Sequence, residues 1–417
     1  VRVLVVGGGA REHALGWKLS LSSSGHEIYF APGNVGTAAL GTNLNVSPNS
    51  VEELAKWARN LGVHLTIVGP EAPLAAGIVD HFASQGLKVF GPNRAAARIE
   101  ASKAFARELM ASAGIPGPAF AIFDQPAPAV AYVERSALPL VVKADGLAAG
   151  KGARICFSRR DALMAIEEIM VQRIFGAAGD RVVIEQFLDG KEASAMAFVA
   201  GEQVSLMPPA RDYKRLLDGH RGPNTGGMGA ICPIPEDSRQ LRDSIVAKVL
   251  QPAVKTLLAR GIHYTGILYA GLMLTSQGPQ VLEFNCRFGD PEAQAVLPLM
   301  QADLLETIEG CMEGNLSLAA LDWKPRYSCA VVLASEGYPD NARTGVPIRG
   351  LEAVESHERW VFHAGTATSD GSIVTAGGRV LTVAAVADIA AQARQRAYEG
   401  VALVAFEGMQ YRRDIGL

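Results

Sequence analysis

Between Gln280 and Glu292 the chain reads Q-V-L-E-F-N-C-R-F-G-D-P-E, and in a strand residues two apart share a face. On that spacing Val281, Glu283, Asn285 and Arg287 point one way, and Leu282, Phe284, Cys286 and Phe288 the other. The second set makes a core face. The first gathers a carboxylate, an amide oxygen and a guanidinium, groups that are costly to leave unpaired away from water. Glu283 and Asn285 are hard oxygen ligands of the kind Mg²⁺ takes while it also holds phosphates. Arg287 can grip a carboxylate or phosphate through two parallel hydrogen bonds. A solvated polar face would satisfy the same alternation, but the apolar set demands a neighbour on one side.

Four other strings place charge beside glycine. Gly7-Gly8-Gly9-Ala10-Arg11-Glu12-His13 is a turn between a strand and a helix, where free backbone N–H groups favour an anion. The dinucleotide fingerprint would need glycine at position 12, which is glutamate, so a phosphate-bearing small molecule fits better than NAD. Leu138 to Gly152 ends a β-branched run at Lys143 and continues into a basic, glycine-rich loop containing Lys151. That loop suits a flap over a triphosphate but lacks the P-loop pattern. Val182 to Ser194, with Glu192, could serve an adenine and its ribose. Arg211–Arg215 and Gly222–Gly229 flank a charged loop, and the second string could form a backbone nest for an anion. Taken singly, each of these is also satisfied by an ordinary turn.

The elements that must position these groups follow from periodicity. Val3–Val6, Glu27–Phe30, Leu65–Val68 and Lys88–Phe90 read as strands ending at Gly or Pro turns, with helical spacing between them, for instance at Val51–Leu61. Strands alternating with helices imply a parallel sheet with ligands at its carboxyl edge. A helix over Ser102–Ala113 leads to a Gly/Pro linker. Beyond it, Leu138–Ala144, Arg154–Phe157, a helix over Arg160–Arg173 and Val182–Glu185 suggest a small antiparallel α+β unit. Helices are expected near Arg239–Arg260 and Glu292–Glu313, then strands Ser328–Leu333 and Arg379–Val386 with a helix over Ile389–Glu399.

A length of 417 residues allows several domains, and a formal charge of −3 offers no basic excess for nucleic acid. The uncharged run from Tyr264 to Leu282 is broken by Gly266, Gly271 and S-Q-G-P, which fits two strands and a turn rather than a membrane span. The N-terminus reads as a first strand, not a leader. Five scattered cysteines without a C-x-x-C pair suggest reduced thiols in a cytosolic protein.

In order, R-E-H-A-L, A-P-G-N, V-G-P-E-A-P-L, V-K-A-D-G-L-A-A-G-K-G, G-P-N-T-G-G-M-G-A and E-F-N-C-R-F-G-D-P-E resemble signatures of the phosphoribosylamine–glycine ligase family, also called glycinamide ribonucleotide synthetases. The resemblance covers essentially the whole chain. It implies an α/β and α+β multidomain protein with a Rossmann-like parallel sheet over 1–101 and an ATP-grasp fold of two α+β lobes over 102–325. The smaller lobe would span about 122–190, and a mixed α/β domain 326–417. The implied reaction joins glycine to 5-phosphoribosylamine through glycyl phosphate, with ATP as substrate and Mg²⁺ or Mn²⁺ as cofactor.

By position, the resemblance gives ATP to Lys103, Lys143, Gly150, Lys151, Gly152, Glu185, Phe187, Leu188 and Glu192, and the metal to Glu283 and Asn285. Gly9, Arg11, Glu12, Gly33, Asn34, Gly69, Pro70 and Glu71 would bind substrate, as would Asn224, Gly226, Gly227, Met228 and Asp290. Lys143, Asp212 and Arg287 would be catalytic. A cytoplasmic monomer or weak dimer is expected, with no nucleic-acid or membrane partner. Two departures stand out: Ala10 replaces a usual glycine, and Ala210-Arg211 stands where relatives commonly carry Ser-Gln. Readings outside this family are another ATP-grasp purine ligase, a Rossmann oxidoreductase, or an idle nucleotide-binding module.

Overall fold

The first ninety residues alternate strands and helices and build a parallel sheet. Its spatial order is Thr42–Asn43, Glu27–Pro32, Arg2–Gly7, Leu65–Val68, Val89–Phe90. Val3 to Val6 are wholly buried, as a central strand covered on both faces requires. The chain winds outward from Arg2–Gly7 in both directions, so the turns after Gly7 and Val68 meet at the switch point where ligands bind in such sheets. A computed structural model describes residues 1–148, 150–316 and 321–417, so Ala149 of the expected flap lies outside the described residues.

Two antiparallel four-stranded sheets follow. One orders Phe120–Phe123, Val182–Gln186, Leu140–Ala144 and Ala153–Cys156. Leu140, Val142, Ala144, Val182 and Ile184 pack against helices Pro126–Arg135 and Arg159–Ile166. Alternation then turns Lys143 and Glu185 to the opposite face. The second orders Gln203–Leu206, Lys191–Ala200, Thr265–Thr275 and Gly278–Asn285. It is buried on both faces, with Ala195 and Ala197 in one core and Met196 and Phe198 in another, which explains the uncharged run of its hairpin. No helix among the described residues is long and apolar enough to cross a membrane.

The last large sheet orders Arg211–Asp212, Gly229–Cys232, Tyr327–Ala334, Arg379–Ala387 and Arg359–His363. Its ladder runs across the boundary expected at 325/326, pairing Gly229 with Val331 and Cys232 with Ser328. The C-terminal segment thus completes a sheet begun by central strands. The helix expected over Glu292–Glu313 is instead two helices, Glu292–Val296 and Leu304–Met312, with a tight turn at Leu297–Leu299 between them. Pro298 lacks the N–H a continuous helix needs, and the Asp303 carboxylate caps the new start by accepting from Leu305 and Glu306 N–H.

A polar seam joins the two ends of the chain. The N–H of His363 donates to His13 Nδ1 (2.8 Å), and Asn34 Nδ2 donates to the carbonyls of His363 (2.7 Å) and Gly8 (3.0 Å). Trp17 packs on Trp360 beside it, ring centroids 5.0 Å apart. Burial, then the neighbouring His363, lowers His13 to about 3, and burial lowers His363 to about 4. Both histidines stay neutral while their unfolded counterparts titrate near 6.5. Their contribution is therefore complete above pH 6.5 and is lost on acidification toward pH 4. We expect about 2 kcal/mol lost per histidine between pH 6.5 and 5. Urea midpoints at pH 7 and 5 should show this loss in the wild type and a shallower one in His13→Asn; equal slopes would remove the assignment.

Candidate active site

The candidate site lies in a cleft of about 480 Å³ between the lobes, lined from every segment of the chain. Its geometry starts with a bulge. Gly271 faces Glu283 and Leu272 faces Val281, which leaves Leu282 without a partner in the ladder. The extra residue shifts the phase of alternation. Val281 joins Phe284 and Cys286 in the core, contrary to the simple strand reading, while Leu282 lines the cleft with Glu283, Asn285 and Arg287.

The bulge also presents carbonyls. Arg107 donates through Nη1 to Val281 O (2.9 Å) and through Nη2 to Leu282 O (2.7 Å), which also accepts from Lys143 Nζ (3.0 Å). From the opposite lobe the Glu185 carboxylate accepts from Arg107 Nε (2.6 Å) and Nη2 (2.8 Å), and Lys143 Nζ lies 2.8 Å away. Burial pushes Glu185 up, but Lys143 and Arg107 outweigh it and hold the group ionised below its ordinary value. Both carboxylate oxygens of Glu185 are thus engaged in bracing Arg107 and Lys143 at the edge of the cleft. Sequence reasoning missed Arg107, although it stands four residues after Lys103 on one helix face.

Helix Lys103–Ala113 is itself aimed by the string that contains Lys143. Asp145 Oδ1 accepts from Ala104 N–H (2.7 Å) and the Ser102 hydroxyl (2.9 Å), and Arg181 holds Oδ2. An anionic cap at a helix N-terminus is favourable, and here it brings Lys103 Nζ to Gly146 O at 3.1 Å. Burial lowers Lys103 although Glu283 opposes it. Glu283 is pushed up by burial but drawn down to about 2 by Lys214, Lys143, Lys103 and Arg287. Lys214, within Arg211–Arg215, lies 3.5 Å from Glu283 and 3.4 Å from Glu192 and is a further cation of the site.

Arg287 lines the cleft but is already occupied. Its Nη2 lies 3.0 Å from Glu100 and donates to Asn285 Oδ1 at 3.3 Å, while its Nε, 3.4 Å from Glu71, has no hydrogen-bond partner among the described residues. An incoming anion would have to compete with two carboxylates. Glu100, which also accepts from Cys286 N–H, carried no signal in the sequence.

A second carboxylate group faces the same space. Asp212 Oδ1 is buried with no hydrogen-bond partner among the described residues. Burial and then Glu292 push it well above the carboxylate range. Glu292 accepts from the Ser194 and Tyr269 hydroxyls, each at 2.8 Å. Arg211, the departure noted above, alternates away from Asp212 and bonds Glu236 (2.7 Å) and the carbonyl of Glu192 (2.8 Å).

Other expected residues divide by their surroundings. Arg11, Pro70, Glu71, Asn224, Gly226 and Asp290 line the cleft, and Gly150 and Gly152 overhang it. Glu12 instead accepts from Gly9 N–H (2.7 Å) and Arg11 Nε (2.6 Å), tucked against Gly7 and Gly69. Its carboxylate caps the helix that begins at Ala10. Asn34 is spent on the seam, Gly33 N–H on the Gly7 carbonyl, and buried Met228 on strand-like bonds to Tyr213 and Val332. Gly227 (φ +110°) packs against Asp212 and Pro291. Lys151 turns outward to the Pro339 carbonyl (3.2 Å). Phe187, Leu188 and Glu192 lie outside the lining.

Two antiparallel α+β lobes closing on a cleft with inward lysines and a paired oxygen-ligand strand define an ATP-grasp enzyme. The chain belongs to the phosphoribosylglycinamide synthetase family, whose N domain matches residues 1–100, ATP-grasp (A) domain 101–293 and C domain 328–417. It is 48% identical to a phosphoribosylamine–glycine ligase of Caldanaerobacter subterraneus, over 100% of this chain and 99% of that one. The crystal structure of phosphoribosylamine–glycine ligase from Thermotoga maritima superposes with a TM-score of 0.86 at 34% identity, each chain covered in full. The biotin carboxylase domain of a Hydrogenobacter thermophilus 2-oxoglutarate carboxylase shares the fold, with a TM-score of 0.76 at 15% identity over 98% of this chain and 91% of that one.

Removing one partner of a buried charge pair leaves the others uncompensated. Glu185→Gln should therefore cost about 3–5 kcal/mol in urea unfolding, because Arg107 and Lys143 remain. A loss below 1 kcal/mol would show that the triad does not carry the lobe junction.

Proposed function

We propose that the chain ligates glycine to 5-phosphoribosylamine at the expense of ATP, in the cytoplasm, as a monomer or weak dimer. The observation that carries this reading is the cleft itself. Cations, two metal-type oxygens and a buried acid pair converge in a chain alike throughout its length to ligases named for that reaction.

An unactivated carboxylate is a poor electrophile. In the proposed route a glycine carboxylate oxygen attacks the γ-phosphorus and ADP leaves, giving glycyl phosphate. The amine of phosphoribosylamine then attacks the acyl carbon, the amide forms, and the amine's proton ends on the released phosphate. No covalent enzyme nucleophile is required. Lys103 and Lys143 would draw negative charge from the transferring group, and holding both partners in line would supply much of the rate.

A divalent cation, Mg²⁺ in our reading, fits the donor set. Glu283 is ionised, Asn285 adds an amide oxygen, and two protein ligands leave positions for phosphates and water. When bound it would neutralise phosphate charge. Asp212, whose Oδ1 is buried without a hydrogen-bond partner among the described residues, with Glu292 behind it, would receive the glycine ammonium. Arg11 and the Gly7–Gly9 turn would serve the sugar phosphate.

A coupled ADP assay with each substrate omitted in turn tests the reaction. ADP release must require both glycine and phosphoribosylamine, and release driven by formate or bicarbonate would replace this reading with another ligase. Asp212→Asn should raise the glycine KM about 10–100-fold, the worth of one charge-assisted hydrogen bond. An unchanged glycine KM would move the ammonium elsewhere.

A further inference from the structure

The C-terminal segment reaches the cleft through one side chain that no motif in the sequence advertised. Arg379 opens the strand Arg379–Ala387 and lines the cleft. Its Nη1 donates to the carbonyls of Gly226 (2.6 Å) and Asp290 (3.0 Å), and its Nη2 to Asp290 Oδ2 (2.9 Å). The N–H of Gly226 donates to the Tyr338 hydroxyl at 2.9 Å. Both backbone polar groups of Gly226 are therefore held by the C-terminal segment.

We propose that Arg379 is a positioning residue for the glycine side of the cleft, holding Asp290 and the Gly226–Gly227 backbone in register with Asp212. This rests on the ligase reading above. Gly227 lies between Pro291 and Asp212, so a shift of Gly226 is transmitted directly to the carboxylate assigned to the substrate ammonium. Asp290 is held on its other oxygen by Gln294 Nε2 (2.8 Å). Burial pushes Asp290 up, but Arg379 and Arg11 outweigh it and keep it ionised.

The local chain is shaped to deliver this side chain. A β-carbon at Gly378 would strike the Tyr338 ring, and Gly365 and Gly377 meet backbone to backbone. The G-G that precedes Arg379 is thus a steric requirement of the approach. The sheet then links Arg379 to Asp212 through three hydrogen-bonded strand pairs, Arg379–Ala387 with Tyr327–Ala334, that strand with Gly229–Cys232, and the last with Arg211–Asp212. None of the bonds of Arg379 reaches Lys103, Lys143, Glu185 or Arg107.

The expected signature is a split between substrates. Arg379→Met should raise the glycine KM about 10–100-fold and leave the ATP KM within about twofold. Arg379→Lys should recover part of the loss, and Tyr338→Phe, which keeps the ring against Gly378, should give a smaller rise in the same constant. Asp290→Asn combined with Arg379→Met should be no worse than the weaker single variant, because both break one link. Equal rises in the glycine and ATP KM, additive losses, or wild-type constants would overturn the proposal.

Hydrogen exchange separates this from the ligase reading. Arg379→Met should lose protection over residues 224–229 and keep it over 140–144, whatever the enzyme turns over. A wild type silent with glycine and phosphoribosylamine would sink the function. Unchanged exchange at 224–229 would sink the brace. Should Arg379→Met fail to fold, Arg379→Lys and Tyr338→Phe carry the same two readouts.

Discussion

Glu185 carries two buried cations, and much of the cleft depends on that arrangement. A carboxylate taken out of water must be compensated, and Arg107 and Lys143 do so from a helix and a neighbouring strand. Both cations also bond the Leu282 carbonyl across the cleft, which binds the smaller lobe to the strand that bears Glu283 and Asn285. The same contacts set Lys143 against the Leu282 carbonyl, one residue before Glu283. Strand alternation puts Lys143 and Glu185 on one face, while the bulge at Leu282 frees the carbonyl that completes the junction.

A second constraint acts from the far side. Asp212 turns an Oδ1 that is buried and unpartnered among the described residues into the space beside Glu292, where burial and that neighbour disfavour its charged form and a cation would be welcome. Against that space pack Gly227, from the string Gly222–Gly229, and behind it the C-terminal sheet. The sheet unites strands separated by more than a hundred residues of chain, so the acceptor side and the C-terminal segment form one mechanical unit. At the opposite end the His13–His363 seam ties that segment to the turn after Gly7. The cleft is therefore enclosed by contacts that each domain makes with the next.

Local patterns were legible wherever one element sufficed. The parallel sheet, the uncharged hairpin and the apolar face of Phe284 and Cys286 follow from periodicities of two and 3.6 residues. Glu283, Asn285 and Arg287 were identifiable as a group for the same reason. Periodicity failed at Val281, because a bulge is a property of two paired strands and leaves no mark in the spacing of one. It failed again between Val296 and Leu304, where Pro298 outweighed the apolar spacing. Glu12 and Asn34 looked like ligands because their types and turns suit anions, yet each side chain satisfies nearby backbone first.

By itself the sequence determined that this chain has a parallel N-terminal sheet, a strand bearing metal-type oxygens, inward lysines, and membership of one ligase family through six ordered signatures. Only the tertiary structure decided which charges are free. Arg287 lies between Glu71 and Glu100, and Glu185 is divided between Arg107 and Lys143, whereas Asp212 Oδ1 has no hydrogen-bond partner among the described residues and Arg379 enters from 89 residues away to hold Asp290. The physical reason is that a charged group's chemistry depends on what neutralises it and how dry its surroundings are. Both are set by residues that meet only when the chain has folded.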